Sequence, residues 1–297
     1  MTEILWKLAQ ICLICNSLTK LLLINQIAVD ESVSEGFAFA AGSPYENKRY
    51  VRGIVKKGKT IQKIPLPDPP LACAYTLLET LKKNKIFVRD SATTLRHLKE
   101  NIKREDYQKN YEKPNRRIIH SHYSPDLKNL ILHTNTVSQN FYAESIFKLI
   151  GIMDGNYGAT VSGGLAVEKF WKDKVNLNGF YMTDGSGLSR LNAVTCQQLT
   201  EMLNFFAKQA NFSDYYETLA VAGRSGTMSK MCLKTLAENN VRAKSGTMSR
   251  VKSYAGYVTD KKGNLLSFAM ISNNHTSMPY EIRRQFEKIM VIMANLD

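Results

Sequence analysis

Apolar and polar positions along this chain follow two rhythms, and the change comes near residue 66. Residues 36–66 alternate short apolar runs with Gly, Pro and Lys, and "RYVRGIVKKGKTIQKIPL" has the period-two pattern of strands joined by a Lys-Gly turn. In the next stretch, "LPDPPLACAYTLLETLKKNKIFV", Pro69 and Pro70 open a segment whose Leu71, Ala74, Leu77, Leu78 and Leu81 recur at helical spacing. Residues 96–118 are so densely charged that a solvated loop or an exposed helix is expected.

From Ser124 the pattern predicts capped helices. Ser124-Pro125 leads into "LKNLILHTN", Thr195 and Gln198 have the spacing of a capping box before "LTEMLNFFAKQ", and residues 280–295 carry Ile282, Phe286, Ile289 and Ile292 or Met293 on one face. Between these helices, "VRAKSGT", "RVKSYAGYVTD" and "NLLSFAMISNN" read as a three-strand meander, the last two flanking "KKG" as a tight turn. Helices, a meander and a closing helix predict an α+β architecture, an antiparallel sheet flanked by helices.

Composition adds limits. A chain of 297 residues with 44% hydrophobic residues is long and apolar enough to bury a core. Its net charge of +14 is scattered and has no interleaved aromatics, so nucleic acid is not expected as a partner; an anionic envelope polymer or membrane surface suits the same charge. The five cysteines show no second pair for a zinc site and read as buried apolar residues, so neither metal nor cofactor is expected. Residues 4–29 are apolar on average but interrupted by Lys7, Asn16, Lys20 and Asn25, which fits neither a signal peptide nor a membrane span.

The candidate chemistry lies in a phrase the chain uses twice, "GRSGTMSK" at 223–230 and "AKSGTMSR" at 243–250. A Lys-Ser-Gly-Thr at a strand end can dock a carboxylate. The ammonium of Lys244 supplies positive potential, Gly246 lets a ligand backbone approach, and the hydroxyls of Ser245 and Thr247 donate hydrogen bonds without adding charge. A second element, Ser138-Gln139-Asn140, stands at the head of a predicted helix. Ser-x-Asn and Lys-Thr/Ser-Gly are two of the three motifs of serine penicillin-recognising enzymes, the third being the Ser-x-x-Lys of the nucleophile.

With "PDPPLACAYTLLETLKKNKI", "SQNFYAESIFKLIG", "TDGSGLSRLN", "LAVAGRSGTM", "RAKSGT" and "YAGYVTDKKGNLLSFAMISNN" in that order, the chain from about Gly36 onward resembles peptidase family S13, the D-alanyl-D-alanine carboxypeptidase/endopeptidases. The resemblance implies a serine β-lactamase/penicillin-binding transpeptidase-like fold. Residues 1–66 would be an N-terminal segment with a strand-rich remnant of the family's inserted region, and 67–297 the C-terminal part of the penicillin-binding domain. Implied partners are peptidoglycan stem peptides and β-lactams, and the implied location is the cell envelope or periplasm. Ser138 would relay a proton between nucleophile and leaving amine, Asn140 would hold the substrate amide, and Lys244 with Ser245 and Thr247 would grip the terminal carboxylate. "AGRSGTM" matches a family loop upstream of the docking strand, with Arg224 in the place of lysine, and is expected to be structural, off the cleft or at its rim. Asp184, Ser186, Ser189 and Arg190 are read as a turn and helix lead-in.

The third motif, that of the nucleophile, is not matched at the family's position. Before Ser138 the chain has one Ser-x-x-Lys, Ser17-Leu18-Thr19-Lys20, closer to Ser138 than the family's spacing and without its Pro-Ala-Ser lead. The expectation is therefore an incomplete form, with Ser17 and Lys20 a chance match. Rival readings are a non-catalytic binder of peptidoglycan peptides and, more remotely, a basic nucleic-acid-binding protein, which would lose affinity steeply with salt. An α/β-hydrolase is disfavoured because no Gly-x-Ser-x-Gly elbow is present.

Overall fold

A computed structural model describes residues 21–32, 37–57, 66–101, 118 and 120–297. It divides into two compact units, Met1–His120 and Ser121–Asp297. Ser17, Lys20 and the predicted Lys-Gly turn at 58 lie outside the described residues.

The first unit has a three-stranded sheet of β1 (Leu22–Val29), β2 (Phe37–Ala41) and β3 (Lys48–Val55) in the order β1-β3-β2. β1 runs parallel to β3 and β2 antiparallel to it. Arg49 is buried, and its Nη1 donates to the carbonyls of Ser43, Glu46 and Lys48, so the guanidinium replaces the water those carbonyls would otherwise bind. Helix α1 (Pro69–Lys83) starts at the prolines because Asp68 caps it, accepting from Leu71 N–H at 3.1 Å. Ala72 and Leu78 are its buried residues, whereas Leu77 and Cys73, expected inside, are exposed. Helix α2 (Leu95–Asn101) opens the charged region.

The second unit supplies the predicted α+β core. Helix α3 (Leu127–Val137) is capped by Asp126, whose carboxylate accepts from Asn129 N–H at 2.9 Å; Ser124, the expected start, precedes a proline that favours extended backbone and stays outside. Helices α4 (Asn140–Met153) and α5 (Thr160–Trp171) pack closely at glycines: Gly163 lies against the Phe147 carbonyl and Gly151 against Ser162. Helix α6 (Cys196–Ala207) carries the predicted capping box between Thr195 and Gln198, and α7 (Phe212–Thr218) follows it.

Strands β4 (Ala220–Val221), β5 (Arg242–Met248), β6 (Val251–Thr259) and β7 (Leu265–Asn273) form an antiparallel sheet in sequence order, and a short 3₁₀ turn (Gly226–Met228) lies between β4 and β5. Strand alternation sends Ala243, Ser245 and Thr247 to one face, with Lys252, Tyr254 and Val258 across from or beside them. Helix α8 (Pro279–Ala294) covers this face, where Tyr254, Val258, Phe286 and Met290 share the main core with Met228 and Met231. On α8 the buried positions are Phe286, Met290 and Ala294; Ile289 and Ile292, expected on this face, are exposed because the buried stripe is rotated about the helix axis away from them. On the other face, Tyr257 and Ala255 pack with Leu203 and Leu219, and the Tyr257 hydroxyl donates to Leu203 O at 2.8 Å. Among the described residues no helix is long and apolar enough to cross a membrane.

Candidate active site

Two neighbouring helices and one strand end build the site. Helix α3 ends at Ser138, which takes up the left-handed conformation at φ 59°, and α4 begins two residues later with Asn140. A non-glycine residue in this region costs about 1–2 kcal/mol, and strain of this kind collects at functional positions. The turn aims the Ser138 side chain at the sheet. Lys244, on β5, donates from Nζ to Ser138 Oγ at 2.7 Å and to the carbonyl of Ser245 at 2.6 Å. The two residues are 106 positions apart in the chain.

Lys244 is half-buried, and among the described residues no carboxylate stands within ion-pair distance of it. Burial first, and then the charge of Lys252, hold its ammonium below the ordinary lysine value. A lysine that holds its proton less firmly, in contact with a serine hydroxyl, is suited to passing that proton along the pair.

The other candidate residues part company. Asn140 is exposed, and among the described residues its carboxamide makes no hydrogen bond. Ser245 and Thr247 leave β5 on the face opposite Lys244. The buried Ser245 donates from Oγ to Thr227 Oγ1 at 2.8 Å, and Thr247 Oγ1 accepts from Lys252 Nζ at 2.6 Å. Gly246 keeps the strand edge open; a Cβ there would meet only the end of the Ser253 side chain.

The doubled phrase has two structural uses. Gly226, at φ +54°, packs against the Thr136 carbonyl at the end of α3, so a Cβ would collide with backbone. The upstream copy is thus the seat for the helix end that presents Ser138. Thr227 also reaches β5 through Ser245, while Arg224 is exposed.

Three further residues were not singled out by sequence. Glu144, on α4, accepts from the N–H groups of Gly185 and Ser186 at 2.9 and 3.1 Å and so ties the "TDGSGLSR" loop to the helix that begins beside Ser138. Successive glycine-loop N–H groups call for an anion, which was the available signal. Within the loop, Asp184 accepts from Gly187 N–H and Ser189 N–H, both at 2.7 Å, and from Asn192 Nδ2 at 2.9 Å. Thr227 is reached only through the tertiary fold. Lys252 could have been counted, since a tight Ser249-Arg250 turn pairs Met248 with Val251 and hence Thr247 with Lys252. Among the described residues, the Ser-x-x-Lys matches at Ser145–Lys148 and Ser249–Lys252 are incidental: Ser145 Oγ bonds back to Phe141 O, and Lys252 turns to Thr247.

Known proteins carry the same arrangement of elements. The fold is similar to that of penicillin-binding protein 4 from Haemophilus influenzae, solved in complex with a β-lactam; the TM-score is 0.70 at 20% identity, over 93% of this chain and 64% of that one. The chain belongs to the D-Ala-D-Ala carboxypeptidase 3 (S13) family, which matches residues 92–294. Among its relatives, the D-alanyl-D-alanine carboxypeptidase of Actinomadura sp. (strain R39) is 32% identical over 165 residues, covering 54% of this chain and 30% of that protein. The D-alanyl-D-alanine carboxypeptidase DacB of Haemophilus influenzae is 27% identical over 183 residues, covering 60% and 38%. The chain thus spans about a third of the length of the curated relatives it matches.

Proposed function

We propose that this chain carries the substrate-docking and proton-relay part of a serine-type D-Ala-D-Ala carboxypeptidase site acting on peptidoglycan stem peptides at the cell envelope. The observation that carries the reading is the 2.7 Å contact between Lys244 Nζ and Ser138 Oγ. It joins the Ser-x-Asn and Lys-Ser-Gly elements, as acyl transfer requires when a hydroxyl must move a proton toward a leaving amine. In this reading Ser138 relays the proton, Lys244 polarises it, Asn140 holds the substrate amide, and Ser245, Gly246 and Thr247 form the strand along which the peptide lies. A β-lactam would occupy the same groove.

The acylating serine is a separate matter. A hydroxyl is a poor nucleophile until a neighbouring base takes its proton. Ser138 is engaged by Lys244 in the relay pair, and the described Ser-x-x-Lys matches hold no bond between their serine and their lysine. We infer that the 297-residue chain, expressed alone, is not labelled covalently by a fluorescent penicillin. Denaturing electrophoresis after incubation tests this. A labelled band that disappears in Ser17→Ala would make Ser17 and Lys20 the catalytic pair. One that survives Ser17→Ala and disappears in Ser138→Ala would give the acylating role to Ser138. Saturable binding of a D-Ala-D-Ala peptide without turnover or labelling would instead favour a non-catalytic binder.

A further inference from the structure

On the α8-facing side of the sheet, the hydroxyls of the docking strand have partners that the Lys-Ser-Gly-Thr motif does not contain. Lys252 stands directly across from Thr247 in the β5–β6 register and donates to its Oγ1 at 2.6 Å. The ammonium is half-buried and lies 5.2 Å from the centre of the Tyr254 ring. Among the described residues no carboxylate is within ion-pair distance of it. The nearby cation of Arg283 is already committed, to the Lys230 carbonyl and, at 3.7 Å, to Glu287. Burial and then the Arg283 charge hold the Lys252 ammonium below its ordinary value, as for a cation that lacks an anion.

The donor inventory points the same way. Lys252 has three N–H groups and spends one on Thr247; Thr247, as acceptor, keeps its own O–H to donate. In the Ser245–Thr227 pair one hydroxyl hydrogen is likewise left over. Thr227 and Thr247 are exposed, so these donors open to solvent beside one unpaired ammonium. Lys244, on the opposite face, is occupied by Ser138 Oγ and Ser245 O.

We propose that Lys252 and Thr247, with Thr227 beside them, form the close binding site for the carboxylate of a peptide laid along β5, leaving Lys244 as the proton partner of Ser138. This rests on the functional reading above and assigns the two lysines different tasks. A charge-assisted bond from Lys252 would discriminate a free carboxylate from its uncharged amide.

The test is calorimetry on the whole chain with N-acetyl-D-Ala-D-Ala and with the same peptide as its C-terminal amide, for wild type, Lys252→Met and Lys252→Arg. Lys252→Met should weaken binding of the acid roughly tenfold and leave the amide unchanged, with Lys252→Arg within about threefold of wild type. Equal losses for acid and amide, no loss in Lys252→Met, or a wild type that binds both peptides equally would overturn the proposal while leaving the functional reading in place. If wild type binds neither peptide, the functional reading fails, and titration with acetate decides the site separately. A shift of the Lys252 side-chain resonance that is absent in Lys252→Met keeps Lys252 as a carboxylate site, and no shift removes it. Circular dichroism checks that each variant is folded.

Discussion

Lys244 Nζ and Ser138 Oγ meet at 2.7 Å because a left-handed turn between α3 and α4 points the serine at the sheet just where strand alternation turns the lysine toward it. The relationship depends on three supports: the backbone conformation of Ser138, the loop on which α3 ends, and the burial of the lysine. Each can be tested alone.

The backbone at Ser138 is separable from its hydroxyl. Ser138→Ala and Ser138→Gly both remove the acceptor of Lys244, but glycine adopts φ near 59° without the Cβ penalty. Ser138→Gly should therefore be more stable than Ser138→Ala by about 1 kcal/mol in urea denaturation. Equal midpoints would mean that the turn is not strained.

The two glycines of the repeated phrase should respond differently to a methyl group. In Gly226→Ala the new Cβ meets the Thr136 backbone from a left-handed position, and stability should fall by about 2–4 kcal/mol. In Gly246→Ala it meets only the Ser253 hydroxyl, which a side-chain rotation can move aside, so the melting temperature should change little while binding of a D-Ala-D-Ala peptide drops. A Gly246→Ala variant that keeps its affinity would remove the need for close ligand approach at this strand.

The depressed basicity of Lys244 implies a pH dependence. Between its lowered folded value and the ordinary 10.5, the unfolded chain binds the extra proton, so stability from this group rises as pH rises through that interval. Denaturant midpoints measured as pH rises toward 10.5 should climb in wild type relative to Lys244→Met. Parallel curves would show that the lysine is not perturbed.

Asp184 behaves in the opposite sense. Burial pushes its carboxyl up, but hydrogen bonds from Asn192, Ser189, Gly187 and Leu188 outweigh this and hold it below the ordinary 3.8. Its stabilisation is present above the unfolded value and disappears as pH falls through the folded one. Asp184→Asn exchanges one acceptor oxygen for a donor and should cost about 1–3 kcal/mol at neutral pH, with the gap to wild type closing in strong acid. A gap that stays constant with pH would separate the loss from the carboxylate charge.

Local chemistry made much of this fold legible from sequence. The Thr195–Gln198 box, the prolines that open α1 and the meander of β5, β6 and β7 each depend on contacts among neighbours in the chain. A helix face was less secure: Ile289 fits the period of α8 as well as Met290 does, and only the sheet beneath decides which is buried. The start of α3 moved from Ser124 to Asp126 because a proline intervenes.

The sequence by itself determined which groups make up the candidate site, since Ser138, Asn140 and the Lys244–Thr247 run are recognisable by type, order and spacing. Tertiary structure alone decided which of them touch. Strand alternation sends Lys244 to one face and Ser245 and Thr247 to the other, a helix end brings Ser138 across 106 residues, and a loop that repeats the docking phrase becomes both the seat of that helix and the partner of Ser245. These outcomes depend on how separate elements pack, and packing depends on residues far apart in the chain, so no local pattern encodes them.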